Sequence, residues 1–363
     1  MGGSSRAVFV GQGRVSHPMA NLLGMAAQLA GNSVRFGWYY GVSWIANRQA
    51  ARLGPQPRVR PTGPIPSMQE LLRDLAQLLM SDAAGVRDGL YPPMDESSGS
   101  VADHLARVWQ MLSDLPSNIE RRAARDTGTA RLSPEAADLP DYFAQDFHFQ
   151  TGGYLTEQSA RLYDVQVETL FYGVANVMRR SALRPIAEHL RGRDQRMMTL
   201  LDVACGTGRS LRQVRLAFPA LRLIGLDLSR PYLDEAARHM DGLRPAELIR
   251  ANAEEIPLGD ATCDIVTSTF LYHELPPAVR PRVTAEIARV LKPGGLFVFI
   301  DSVQLGDKPG WDGLLEVFPA RFHEPYYRHY AIDDLDGMFA AAGLKPQASW
   351  IAFLSKVMVR CKT

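Results

Sequence analysis

From residue 199 onward the chain alternates short apolar runs with stretches whose apolar side chains recur every three or four positions. The runs lie at about 199–204, 222–227, 246–251, 263–269, 295–301, 347–352 and 355–361 and read as strands. The periodic stretches, at about 208–217, 231–241, 278–291 and 332–342, read as helices; in the third, Val283, Ile287, Val290 and Leu291 share a face. Strand and helix in alternation predict a parallel sheet with right-handed crossovers. The last two strands are too close for a crossover and must form an antiparallel hairpin. In such sheets ligands sit at the carboxyl ends of the strands.

The first 140 residues have a different pattern. Leu22, Leu23, Met25, Ala26, Leu29 and Ala30 have mixed helical spacing, and an aromatic cluster follows (Phe36, Trp38, Tyr39, Tyr40, Trp44). Such a cluster reads as buried packing or, together with nearby arginines, as an interfacial anchor. Five prolines between Leu53 and Pro66 predict an extended connector. Ser67 and Glu70 are spaced as a capping box, and Leu71, Leu72, Leu75, Leu78 and Leu79 then make an apolar face. A third helix carries Val101, Leu105, Val108, Met111, Leu112 and Leu115 and is expected to stop at Pro116. We therefore expect residues 1–140 to be a helical accessory region. Its apolar faces need something to dock on, and it shows no catalytic signature. From Asp141 an aromatic and polar stretch leads into one long helical pattern, Thr156 to about Arg191.

The first strand of the alternating part runs into Ala204-Cys205-Gly206-Thr207-Gly208, and a helical pattern begins at once. Glycines in a strand-to-helix turn let a ligand approach the backbone without meeting a Cβ. The helix start adds N–H donors. A dinucleotide turn would want a third glycine where Leu211 stands. The acid expected about 20 residues on is present as Asp227, at the end of the second strand. A ribose can be held by such a carboxylate, which accepts from two hydroxyls at once.

These residues, with Gly225-Leu226-Asp227-Leu228-Ser229, Ala251-Asn252-Ala253-Glu254, Asp264-Ile265-Val266 and Leu291-Lys292-Pro293-Gly294-Gly295, resemble the class I S-adenosylmethionine-dependent methyltransferases. The last run and its surroundings look most like the quinone-type, UbiE-like members. The resemblance spans roughly residues 150–363. It implies an α/β, Rossmann-like seven-stranded sheet. The methyltransferase domain would span 141–363, with 141–195 as a helical lid and 196–363 as the core. It also implies S-adenosylmethionine as cofactor, held by Asp202, Ala204, Gly206, Thr207, Gly208, Asp227, Leu228, Asn252, Ala253, Thr269 and Phe270. Asp202 would serve the turn, the methionyl ammonium, or both. Asn252 stands where the class usually has Asp. Tyr154, Tyr163, Tyr272 and Tyr326 are expected to face the acceptor.

Methyl transfer from a sulfonium needs no acid for the leaving group, so alignment supplies most of the catalysis. A base is needed only where the acceptor must lose a proton. The candidates are His273, Asp301, His323 and Tyr327, each of which also has an ordinary structural role open to it. No metal is expected. The expected acceptor is a small aromatic or lipophilic molecule, methylated at carbon, oxygen or nitrogen. Two other readings stay open: a non-catalytic subunit that binds S-adenosylmethionine or S-adenosylhomocysteine, and a nicotinamide-dependent oxidoreductase.

Charge and composition narrow the partners. The chain is 46% hydrophobic and 22% charged, with a net charge of +1. This suits a globular protein and argues against a nucleic-acid binder. Cys205, Cys263 and Cys361 have no paired spacing, and the simplest compartment is the reducing cytoplasm. Met1 to Gln69 holds seven arginines and no Asp or Glu. That asymmetry fits a solvated basic face, an acidic partner, a targeting segment or peripheral contact with an anionic membrane. Arg6 stands where a myristoylation pattern wants Ser or Thr. An oligomer is compatible with the sequence.

Overall fold

The computed structural model describes residues 18–53, 60–94 and 99–363. Arg6, Arg14, Arg58, Pro55 and Pro57, on which part of the charge and connector reading rests, lie outside them.

Three long helices come first: α1 (Pro18–Arg52), α2 (Met68–Arg87) and α3 (Val101–Ala124). The capping box at α2 is formed, with Ser67 and Glu70 bonding reciprocally, and Ser100 and Asp103 do the same for α3. Contrary to expectation, α3 runs through Pro116 for two more turns. A proline leaves the carbonyl four residues back without its helical partner. Here that carbonyl, Leu112 O, accepts instead from Gln49 Nε2 of α1 at 3.1 Å. The aromatic cluster of α1 is also split. Tyr39 is buried, whereas Trp38, Tyr40 and Trp44 are exposed.

After a series of short turns come α4 (Glu157–Leu170), α5 (Ala175–Arg180) and α6 (Leu183–Leu190). The single helix expected from Thr156 to Arg191 is thus broken. Tyr172 and Gly173 both take left-handed backbone, and a side chain on Gly173 would strike Arg35 O at 2.8 Å. The break lets α1 press against this point, where Arg35 Nε donates to Gly173 O.

The remainder is β1 (Thr199–Val203), α7 (Arg209–Ala217), β2 (Arg222–Asp227), α8 (Arg230–His239), β3 (Glu247–Arg250), β4 (Cys263–Thr269), α9 (Arg280–Val290), β5 (Leu291–Ser302), α10 (Asp312–Arg321), α11 (Tyr327–Tyr330), α12 (Leu335–Ala341), β6 (Leu344–Ala352) and β7 (Ser355–Lys362). The strands form one Rossmann-like sheet in the order β3-β2-β1-β4-β5-β7-β6. The first five are parallel, β7 pairs antiparallel to β5, and β6 forms the terminal hairpin with β7. Pro346 is tolerated because β6 is an edge strand. Helices α10 and α11 fill a stretch that the apolar pattern had left without elements.

Alternate residues of each strand feed separate cores. Leu200, Leu223, Ile265 and Val298 pack on one face with α5, α6 and α7; Leu201, Ile224, Val266 and Phe297 pack on the other with α9 and α12. Helix α2 joins the first core through Leu75, Leu78 and Leu79. A buried polar knot fixes that union. Asp82 of α2 accepts from Arg180 of α5 at 2.7 and 2.9 Å, from Asn32 at 2.9 Å and from Gln28 at 2.8 Å. Burial would raise the Asp82 pKa, but Arg180 and these hydrogen bonds hold its carboxyl below the usual carboxylate range.

Candidate active site

The cofactor turn leaves β1 through Ala204 and Gly206, both with positive φ, and reaches Gly208, also with positive φ, as the residue that starts α7. The two glycines do different work. A Cβ on Gly206 would meet nothing within 4 Å, and Gly206 lines an open cleft. A Cβ on Gly208 would lie 2.8 Å from Ala236, so Gly208 admits α8 rather than facing the cleft.

The turn is gripped from outside the sheet. Asp164 of α4, nearly fully buried, accepts from Thr207 Oγ1 at 2.8 Å and from Arg209 Nε at 2.7 Å. Burial opposes its ionisation, but the charges of Arg209, His239 and Arg179 hold its carboxyl well below the carboxylate range. Thr207 therefore points to α4, not into the cleft. Asp202 lies beneath the turn, buried, accepting from Thr267 Oγ1 at 2.6 Å. Burial pushes its pKa to about 7.

Asp227 ends β2 at the cleft wall. Its Oδ2 accepts from Gly206 N at 2.8 Å and its Oδ1 from Ser229 N at 2.9 Å. Burial raises its pKa to about 6 against these hydrogen bonds. Each oxygen keeps a second lone pair for a donor in the cleft. Ala204, Leu228, Asn252, Ala253, Thr269 and Phe270 line the same cleft. Asn252 Oδ1 accepts from Glu254 N at 3.0 Å and so shapes its own turn. Four aromatic rings from the segment before α4 and from that helix, Phe143, Phe147, Tyr154 and Tyr163, also line the cleft.

A second cavity adjoins the first; Tyr163, Phe270 and Glu274 line both. Its walls are largely apolar, with Phe171, Leu314, Leu315 and Phe318 among them, and one end carries His148, His273, Glu274 and Ser302. His273 Nδ1 is 2.5 Å from Asp301 Oδ1. Burial disfavours the imidazolium, but Asp301 overcomes it and lifts the His273 pKa to about 9. Asp301 is itself fully buried and also accepts from Tyr272 N. Tyr327 lines this cavity, its hydroxyl 2.7 Å from Ser302 Oγ.

Seven expected site residues line neither cavity: Asp202, Thr207 and Gly208 of the cofactor set, and Asp301, Tyr272, His323 and Tyr326. Tyr272 is fully buried with its hydroxyl on Thr284. His323 pairs with Gln145 at 2.8 Å, and Tyr326 is a weak acceptor for the same Gln145. In the other direction, the sequence reading passed over Glu274, His148 and Glu324, whose ligating atoms converge within 4.8 Å of one another. Glu274 and Glu324 had a local signal, each as the neighbour of a candidate histidine, His273 or His323, and His148 had its place in the aromatic and polar stretch from Asp141; that the three converge is visible only in the folded chain.

The cleft suits an adenosyl cofactor: an open glycine, a buried carboxylate with lone pairs to spare, and an apolar flank. Residues 200–295 match the methyltransferase-domain family. Over 154 residues the chain is 32% identical to the ubiquinone/menaquinone biosynthesis C-methyltransferase UbiE of Syntrophotalea carbinolica, covering 41% of this chain and 60% of that one. Against the demethylmenaquinone methyltransferase of Bacillus licheniformis the identity is 35%, covering 32% and 53%. The chain thus spans just over half the length of these curated relatives. A methyltransferase from Aquifex aeolicus superposes with a TM-score of 0.37 at 20% identity, over 50% of this chain and 88% of that one. The part of the chain that the family model matches, residues 200–295, is a methyltransferase domain, whose cofactor is S-adenosylmethionine.

Proposed function

We propose that the whole protein transfers a methyl group from S-adenosylmethionine to a small acceptor with an apolar body and a hydroxylated, quinone-like head. The adjoining cavities carry this reading. One offers Asp227 and Gly206 to the nucleoside and amino-acid parts of the cofactor. The other offers an apolar barrel with a polar end. When bound, the cofactor supplies an electrophilic methyl on a sulfonium. The chain's own residues do the rest. Asp227 accepts from the ribose hydroxyls, Leu228 flanks the adenine, and Asn252 can accept from its amino group. Phe270 and Tyr163 shape the passage between the cavities, and the aromatic lining excludes water. His273, kept protonated by Asp301, donates to an oxygen on the acceptor head.

The two relatives' names supply the quinone part of the proposal. The nicotinamide reading finds little support, because Leu211 occupies the third glycine position and is packed where a side chain on Gly225 would strike it at 2.6 Å. The test is transfer of radiolabelled methyl to a short-tailed demethylmenaquinol. Labelled product supports the assignment. Tight adenosylhomocysteine binding with no transfer to this or any acceptor in cell extract would favour a non-catalytic subunit.

The route of a lipophilic acceptor adds a second element. No helix among the described residues is long and apolar enough to cross a membrane. Yet Met19, Leu23, Val34, Trp44 and Ile45 of α1 are all exposed, and the charges at its far end are Arg48 and Arg52. With no acid before Glu70, this face is complementary to an anionic bilayer surface. We read it as a peripheral contact.

A further inference from the structure

We propose that Glu274 takes the proton from the acceptor's hydroxyl, and that Tyr154, His148 and Glu324 position it for that task. The proposal rests on the methyl-transfer reading above.

Three residues line both cavities, and of these Glu274 is the carboxylate. It stands where a nucleophile in the second cavity would meet a methyl carried in the first. A continuous line of acid and base groups runs through it. Glu324 Oε1 lies 3.0 Å from His148 Nδ1, and His148 Nε2 lies 3.1 Å from the Tyr154 hydroxyl. That hydroxyl donates to Glu274 Oε1 at 2.5 Å. Beyond Glu274, His273 Nε2 is 3.9 Å away and leads on to Asp301. Four separate segments of the chain meet here.

Two observations mark the cluster as more than packing. The Glu324 side chain is wholly buried, with the His148 ring as the ion-pair partner of its Oε1 and no hydrogen bond to its Oε2. A carboxylate is costly to hold that way. His148 and Phe149 both take left-handed backbone, with φ of 56°. Non-glycine residues are kept in that region only when their surroundings enforce it.

Charge accounts for the arrangement. Burial would strip His148 of its proton, but Glu324 and Glu274 keep it protonated up to about 10. Two carboxyl groups thus share one imidazole at the boundary of the cavities, while His273 is paired with Asp301. In the proposed proton transfer the acceptor's O–H bond breaks and its electron pair stays on the acceptor; where a ring carbon takes the methyl, that carbon's own hydrogen then leaves as a proton, its electron pair restores the ring, and the oxygen regains a proton from solvent. A new O–H bond forms on Glu274, and the proton passes to solvent after product leaves.

The test uses the full-length protein, radiolabelled S-adenosylmethionine and a short-tailed demethylmenaquinol. Glu274→Gln should lower kcat roughly 100-fold to 10,000-fold and change KM for the quinol by less than about threefold. Formate should restore at least about tenfold to Glu274→Ala. Tyr154→Phe and Glu324→Gln should lose less, and formate should not help them. Calorimetry with adenosylhomocysteine checks that the variants are folded and loaded. A second readout needs no turnover. In the adenosylhomocysteine complex, Glu274→Gln should shift the imidazole NMR signals of both His148 and His273.

Unchanged kcat in Glu274→Gln, no formate rescue, or unmoved imidazole signals would overturn the proposal. So would loss of activity on chelation with recovery in Mg²⁺ or Mn²⁺, which would make the same three side chains a cation site. If wild type binds adenosylhomocysteine but leaves the quinol unmethylated, the acceptor reading fails, and the NMR arm still decides the role of Glu274.

Discussion

The helical region and the α/β sheet solve the burial problem in opposite ways. In the sheet, every residue of β1 is buried and the strands' alternate side chains fill two apolar cores. In the helical region, α1 is apolar nearly all round, so packing one face leaves another exposed. Its inner face is fixed less by fit than by a polar knot, with Gln28 and Asn32 converging on Asp82 and Arg180. Apolar contact tolerates sliding, whereas a buried ion pair with directed hydrogen bonds fixes one register. The contrast marks a region whose register on the sheet is fixed and whose outer surface stays apolar.

The largest expected effect breaks the knot. Asp82→Leu should destabilise the protein by about 3–5 kcal/mol, because it strands a buried guanidinium. Denaturant unfolding should show much of this loss recovered in the double variant Asp82→Leu with Arg180→Met. Equal losses in the two proteins would mean that apolar packing, not the ion pair, joins the regions.

Next come the two glycines of the turn. Gly208→Ala should cost about 1–3 kcal/mol of stability through its clash with Ala236 and its left-handed backbone. Gly206→Ala should cost only the backbone part, about 1–2 kcal/mol, and weaken adenosylhomocysteine binding more than Gly208→Ala does. Thermal melts and calorimetry on the same samples would show whether stability and binding separate in this way.

A pH titration of binding reads the carboxylate of Asp227. The ribose hydroxyls are donors and favour the ionised form. The proton that the buried free site takes up near pH 6 must therefore leave on binding. Affinity for adenosylhomocysteine should be flat above about pH 7 and fall by up to roughly tenfold per unit well below 6. The smallest effect concerns the outer face of α1. Trp44→Glu with Ile45→Glu should reduce sedimentation with anionic liposomes by roughly threefold or more and leave adenosylhomocysteine binding unchanged. Equal sedimentation would remove the membrane reading.

The same contrast explains what could be read from sequence. The strands and the hairpin follow from local period and spacing, which parallel strands express strongly, whereas the resemblance to class I methyltransferases is what pointed to Ala204, Leu228, Asn252, Ala253, Thr269 and Phe270, all of which line the cleft. Pro116 misled because the rescue of Leu112 O by Gln49 is tertiary. Tyr172-Gly173 broke a helix for the same kind of reason, the approach of α1. Gly208 and Thr207 lie in the cofactor signature, but their partners, Ala236 and Asp164, come from other elements. The His148–Glu274–Glu324 cluster carries no period at all. It exists only where the segment before α4, the end of β4 and the loop after α10 converge.

On the proposed function, the glycine turn and the carboxylate ending β2 together hold an adenosyl cofactor. Isothermal calorimetry of adenosylhomocysteine at pH 8, on wild type and Asp227→Ala, tests it most directly. Wild type should bind, and the variant should lose roughly 100-fold or more in affinity with its melting temperature little changed. Absence of binding in wild type, or equal affinity in the two proteins, would contradict the account.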